Sequence, residues 1–148
     1  NGNLPVHSVS WQSANAYCEW RSKRDKRTYT LPTRWEREKA AGGGDRRRFS
    51  WGDLPLPALA NCWNQCLAEE RGLKETEAFP YDKSPLGLLG CCGGLAEFTS
   101  TPYAGGKGVV ILGGRWNARV QDCGIRAAAA LAPDAVRDWM GVRICHHP

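Results

Sequence analysis

Two glycine pairs bracket one short acidic-aromatic stretch, and they constrain this chain more than any other feature. "GGLAEFTSTPY" spans 93–103 and "ILGGRWNARVQDCGIR" spans 111–126. Adjacent glycines let a backbone turn with positive φ or pass close to another backbone. Neither stretch has the periodicity of a long helix, and neither is a phosphate loop. Seventeen Gly and nine Pro among 148 residues predict many turns and little continuous helix. The length implies one domain, 1–148, with enough chain to bury a core. Seven Trp are available to order the loops, each needing an acceptor for its ring N–H when buried.

Local chemistry marks two short helices. In "SWQSANAYCEW", Ala14, Tyr17 and Cys18 stand at helical spacing behind Ser10 as a cap. In "LPTRWEREKAAGGG", Thr33 and Glu36 form a capping box, and Gly42 to Gly44 stop the helix. Both helices are expected on one side of a small twisted sheet, with Trp11, Tyr17, Trp20 and Trp35 supplying much of the packing. "VVILGGRW" (109–116) reads as a buried strand and "MGVRIC" (140–145) as a shorter one. Between Gly124 and Pro133 the Ala run has little room to be a helix.

Lys and Arg outnumber Asp and Glu by 20 to 15, mostly through "WRSKRDKRTYT", "RWEREK" and "DRRRF". The stripe reads as a solvated face; with no stacking platform or zinc-knuckle spacing beside it, nucleic acid is not the expected partner. No apolar run approaches the ~20 residues that span a bilayer, and no signal-peptide pattern opens the chain, although its abrupt start leaves localisation open. The seven cysteines, an odd number, read mainly as small buried hydrophobes. The oxidation state of the pairs Cys62/Cys66 and Cys91/Cys92 stays open.

Taken in order, "PVHSVSWQSANAYCEW", "YTLPTRWEREKAAGGG", "RRFSWGD", "GLLGCCGGLAEFTSTPY", "VVILGGRW" and "PDAVRDWMGVR" resemble the motifs of formylglycine-generating-enzyme-like (sulfatase-modifying-factor) domains, a branch of the C-type lectin fold. The family pattern runs through L-P-T-E-x-E-W-E, G-N-V-W-E-W-T-S, R-G-G-S-W and a closing G-F-R, and the resemblance covers Pro5 to Arg143. It implies an α+β, C-type lectin-like fold: two short helices on a small twisted antiparallel sheet with long irregular loops. Members carry a further N-terminal stretch that pairs with the C-terminal strand. The resemblance therefore implies a missing segment or partner chain, or a pared-down domain whose "MGVRIC" edge would invite a strand.

The resemblance also implies a calcium site, with the Glu97 side chain and the Leu95 carbonyl as ligands, since calcium takes six to eight oxygens. Gly94 and Ala96 depart from the family's Asn and Trp there. No cofactor is otherwise required. The family's oxidising members use two cysteines five apart; here the second matches Cys123 and the first falls on Ala118. Copper held by two thiolates needs both sulfurs. A three-histidine iron site would have to join His7 to the adjacent His146 and His147, a poor set.

Spacing is closest to the non-catalytic members, such as the variable proteins of diversity-generating retroelements and kinase-attached lectin-like domains. The expectation is then a binding domain, with a thiol oxidase using Cys123, or a sensory domain of a larger protein, as alternatives. The surface so implied comprises Asn117, Ala118, Arg119, Gln121, Asp122, Ala127, Ala129, Ala130, Leu131, Ala132, Ala135, Arg137, Asp138 and Trp139. Its Ala and Leu, rimmed by charges and anchored by Trp139, suit a protein or other apolar ligand.

Overall fold

The computed structural model describes residues 3–64 and 71–147. Its two helices begin where the caps predict. Ser10 accepts from the Ser13 N–H and opens α1 (Trp11–Asp25), which runs past the quoted motif to a left-handed stop at Lys26. Thr33 and Glu36 complete their capping box at the start of α2 (Arg34–Gly42). Strand β1 (Thr28–Thr30) lies between them.

A four-stranded sheet, ordered β4-β3-β2-β5, forms the centre. It comprises β2 (Ala96–Pro102), β3 (Val109–Leu112), β4 (Ala128–Leu131) and β5 (Met140–Gly141). The expected all-antiparallel sheet is corrected to a mixed one, because β5 pairs with β2 in parallel. The acidic-aromatic stretch is itself the central strand, flanked by β3 and β5, and β3 is buried throughout. The Ala run is strand β4, at the edge, paired residue for residue with β3.

"MGVRIC" is not one strand. Its first two residues form β5, while Cys145 begins β6 (Cys145–His147), which pairs antiparallel with β1. His7 bridges Gly141 on the side away from β2, and the Ser8 N–H donates to the Met140 carbonyl. The open edge expected at Met140 is therefore occupied from within the chain.

Side chains alternate across a strand, and that alternation separates the helices. Ala96, Phe98, Val109 and Ile111 pack with Ala14 and Cys18 of α1. Glu97 points the other way, to Arg37 of α2. The helices thus serve opposite faces of the sheet, not one side. The expected aromatic packing is corrected as well. Trp11 is half-buried and donates its ring N–H to the Thr99 carbonyl at 2.9 Å, but Tyr17, Trp20 and Trp35 are 44%, 51% and 69% exposed. Arg24 and Arg34 lie over the Trp20 and Trp35 rings, an arrangement that keeps aromatics at the surface.

The glycine pairs exist because the loops on either side of β2 and β3 touch backbone to backbone. A β-carbon on Gly93 would lie 2.6 Å from the Asn61 carbonyl oxygen, and one on Gly114 would collide with the Cys92 carbonyl and the Cys123 side chain. Gly94 and Gly113 hold φ of +80° and +88°. Two hydrogen bonds follow from that approach: Gly94 N–H to the Asn61 carbonyl, and Trp116 N–H to the Gly94 carbonyl, both 2.8 Å. Gly114→Ala should therefore destabilise the fold by ~3 kcal/mol or more through overpacking, whereas Gly44→Ala, with open space around its β-carbon, should shift stability by ~0.5 kcal/mol or less. Thr33→Ala should remove ~1 kcal/mol with the cap. Urea denaturation of the three variants checks all three values.

Candidate functional site

Glu97 is 5% exposed, at the middle of the molecule. One carboxylate oxygen accepts from Arg143 Nε and Nη2 at 2.9 and 2.7 Å; the other accepts from Arg37 Nε at 2.9 Å. Arg37 is 1% exposed and also donates to the Cys91 carbonyl, and Arg143 donates to the Leu89 carbonyl. Burial alone would raise the Glu97 pKa, but the Arg143 and Arg37 charges prevail and hold it below the usual carboxylate value.

Calcium does not fit this arrangement. Both carboxylate oxygens already face guanidinium groups, so a dication would meet two positive charges, and Gly94 offers no side-chain oxygen. Leu95 is buried against Gly141, its N–H turned to the Gly93 carbonyl. The ligand role expected for the Glu97 side chain is thus corrected to an ion-pair hub, and the Leu95 side chain packs in the core.

Arg37 was not visible in the charge pattern, where it reads as part of the solvated stripe. The signal lay in the motif: in T-E-x-E-W-E, Arg37 stands where the family has its Trp, four residues before buried Ala41. Asp82 was also missed. It accepts from the Ser50 hydroxyl and from the Cys91, Cys92 and Gly93 N–H groups, which pins the "GCCGG" loop. Burial pushes its pKa up while those hydrogen bonds oppose the rise.

Cys123 is fully buried, and its thiol lies 3.2 Å from the Arg119 carbonyl. Burial pushes its pKa up to about 12. Cys62, Cys91 and Cys92 share the same core cluster, and the thiols of Cys91, Cys92 and Cys123 are free. A thiol this far from ionisation is a weak nucleophile. Cys66 lies outside the described residues.

The residues expected at the ligand surface separate into groups. Ala118, Asp122, Ala127 and Ala129 line one concavity of about 140 Å³ together with Gly114 and Arg115. Beside it the Arg115 guanidinium lies 4.5 Å from the Trp139 ring centroid. Trp139 and Leu131 are only half-buried but pack on the α1-side core. Ala130 alternates to the opposite face of β4 from Ala129 and Leu131, so the expected single patch is divided by the strand. Arg119, Gln121, Ala132, Arg137 and Asp138 are exposed; Ala135 is half-buried. Asn117 is half-buried, and its amide oxygen has no hydrogen-bond partner among the described residues.

A second concavity, about 350 Å³, adjoins the first through Ala127 and is lined by Arg46, Arg48, Gln121, Gly124 and Arg126. A cavity of about 200 Å³ lies across the molecule between Val6, Leu73, Phe79 and Val142, with Glu97 and Arg143 in its wall.

Two helices around a curled mixed sheet, with long irregular loops, define a C-type lectin-like fold. The chain belongs to the sulfatase-modifying factor enzyme 1-like domain family, whose profile it matches over residues 1–148. It is 33% identical over 158 aligned positions to the inactive C-alpha-formylglycine-generating enzyme 2 of Mus musculus, covering 95% of this chain and 48% of that protein. It is 36% identical over 107 positions to the formylglycine-generating enzyme of Streptomyces coelicolor, covering 66% of this chain and 32% of that one. The chain thus spans half or less of these relatives' length. Among solved structures, Treponema denticola variable protein 1 superposes with a TM-score of 0.87 at 19% identity, over 99% of this chain and 72% of that one. PvdO from Pseudomonas aeruginosa gives 0.83 at 19%, over 99% and 63%.

Removing one partner from a buried ion pair strands the other. Glu97→Gln should lower stability by ~3–5 kcal/mol at neutral pH. Because the folded-state pKa of Glu97 is depressed, its contribution is present above the unfolded value of ~4.3 and is lost as pH falls through the folded one. The difference in thermal midpoint between wild type and Glu97→Gln should therefore shrink on acidification. Wild-type midpoints should be the same in calcium and in chelator. Trp139→Ala, because the ring packs on the core, should cost ~2 kcal/mol of stability, which denaturant titration measures.

Proposed function

We propose that this chain is a binding domain whose ligand site is the concavity bounded by Arg115, Ala118, Asp122, Ala127 and Ala129. What supports it most is the contrast between an accessible, alanine-floored hollow and a neighbouring Cys123 whose thiol is sealed and held far above its ordinary pKa. The oxidase alternative needs a reactive thiol there, and Ala118 stands where the first of the two sulfurs would be. Similarity to a relative named as inactive and to a variable protein fits the same reading. A sensory domain within a longer protein is a special case of it.

The ligand's chemistry follows from the walls. Alanine side chains leave room for a small apolar group, while Arg46, Arg48 and Arg126 in the adjoining concavity favour an acidic neighbour. A protein segment carrying an apolar side chain next to acidic residues satisfies both.

Peptides selected from a displayed random library on the immobilised chain provide the test. Enrichment of acidic residues beside a small apolar one is expected, with affinity falling as salt rises. Ala129→Arg fills the hollow from an exposed position, and should weaken those peptides by about 30-fold, ~2 kcal/mol, with the thermal midpoint unchanged. Peptides indifferent to both Ala129→Arg and Arg126→Glu would place binding elsewhere and overturn the reading.

A further inference from the structure

The tail motif "ICHHP" has no part in the binding surface, yet the fold brings it to α2. Strand β6 pairs with β1 in a register that sets Thr30 opposite Cys145 and Thr28 opposite His147. The Cys145 thiol, the His147 imidazole and the Glu36 carboxylate converge there, their ligand atoms all within 4.8 Å of one another. His147 Nε2 is 3.6 Å from Cys145 Sγ and 3.9 Å from Glu36 Oε1.

We propose that Glu36, Cys145 and His147 form a zinc site with an open fourth position. The distances carry the argument. Zinc bonds of ~2.3 Å to sulfur and ~2.0–2.1 Å to nitrogen or oxygen set tetrahedral ligand–ligand edges of about 3.3–3.6 Å. The sulfur–nitrogen edge is already at that length, the nitrogen–oxygen edge is about half an ångström longer, the sulfur–oxygen separation is within 4.8 Å, and Glu36 and His147 stand at the surface where they can adjust.

The donor inventory agrees. Thiolate, imidazole and carboxylate together suit a borderline ion such as zinc, whereas oxygen-only sites suit calcium or magnesium. Glu36 has one oxygen to offer: Oε2 accepts from the Thr33 N–H and hydroxyl in the capping box, while Oε1 faces His147. Cys145 is half-buried, whereas Cys18, Cys62, Cys91, Cys92 and Cys123 are buried, so it is the thiol among the described residues that an incoming ion can reach. The Thr30 hydroxyl lies 3.2 Å from both Cys145 Sγ and His147 Nε2, close enough to orient either ligand. Three protein ligands leave a position for water or an exogenous ligand, the pattern of an open rather than a closed zinc site. The three come from α2 and both ends of β6, so an ion would fasten the tail to the helix.

Cobalt(II) is the spectroscopic probe, used on the reduced chain without any affinity tag. Titration should raise a thiolate-to-cobalt charge-transfer band that saturates at one ion per chain and is displaced by zinc. Cys145→Ser should abolish the band. His147→Gln and Glu36→Gln, the latter retaining the capping acceptor, should each weaken binding at least tenfold. Zinc should raise the thermal midpoint of the wild type and leave that of Cys145→Ser unmoved. Absence of the band in the wild type, or its persistence in Cys145→Ser, would overturn the proposal; persistence would assign the cobalt to another thiol.

Discussion

A buried carboxylate, gripped from two sides by arginines, ties this molecule together. Glu97 sits on the central strand, Arg37 on the second helix and Arg143 just beyond the last strand of the main sheet. Three segments far apart in sequence are therefore tied at one buried point. Each guanidinium also satisfies a loop carbonyl, Cys91 for Arg37 and Leu89 for Arg143, so the hub fixes the glycine-rich loop together with the strands. The balance is close: one Arg37 nitrogen, Nη1, is buried with no partner among the described residues. A buried pair of this kind adds little stability over an apolar core of the same shape, but breaking it is expensive. Its effect is to make one arrangement of helix, strand and loop far better than its neighbours.

That hub explains why calcium fits poorly at the position the family resemblance assigns to it. An anion buried on the central strand requires a cation, and here two side chains supply the charge. Arg37 occupies the helix position that carries Trp in the family motif, so one substitution changes both the packing and the electrostatics of the region. Asp82 solves the same problem differently. Its oxygens are met by a hydroxyl and three consecutive N–H groups of the Cys91–Gly93 turn, with no cation in direct contact among the described residues.

Features set by local chemistry were legible in the sequence. The two helix starts, the buried β3 run and the glycine contacts all depend on residues close together in the chain or on excluded volume, and each leaves a local trace. The features that escaped depend on partners far away. The stretch 96–102 contains a charge and several hydroxyls, so it does not read as a central strand until Arg37, sixty positions earlier, neutralises the charge. The parallel β2–β5 pairing joins segments about forty residues apart and has no turn to announce it. The division of the expected surface followed from strand alternation, which an Ala run conceals because identical residues carry no period.

The same contrast governs where reactivity can lie. The cysteines read mainly as small buried hydrophobes, and the "CC" pair and Cys123 do line the core, where desolvation suppresses the thiolate. Cys145 differs because of topology: β6 is a short strand in a two-stranded sheet at the surface, so its side chains stay near solvent while its register holds them against the first turn of α2. The core that orders the loops thus quenches most of the sulfurs, and the peripheral ribbon that adds least to that core keeps one thiol beside an imidazole and a carboxylate. Chemistry at the ribbon is separable from binding at the alanine-floored hollow, because the two share no residue and are built on different sheets.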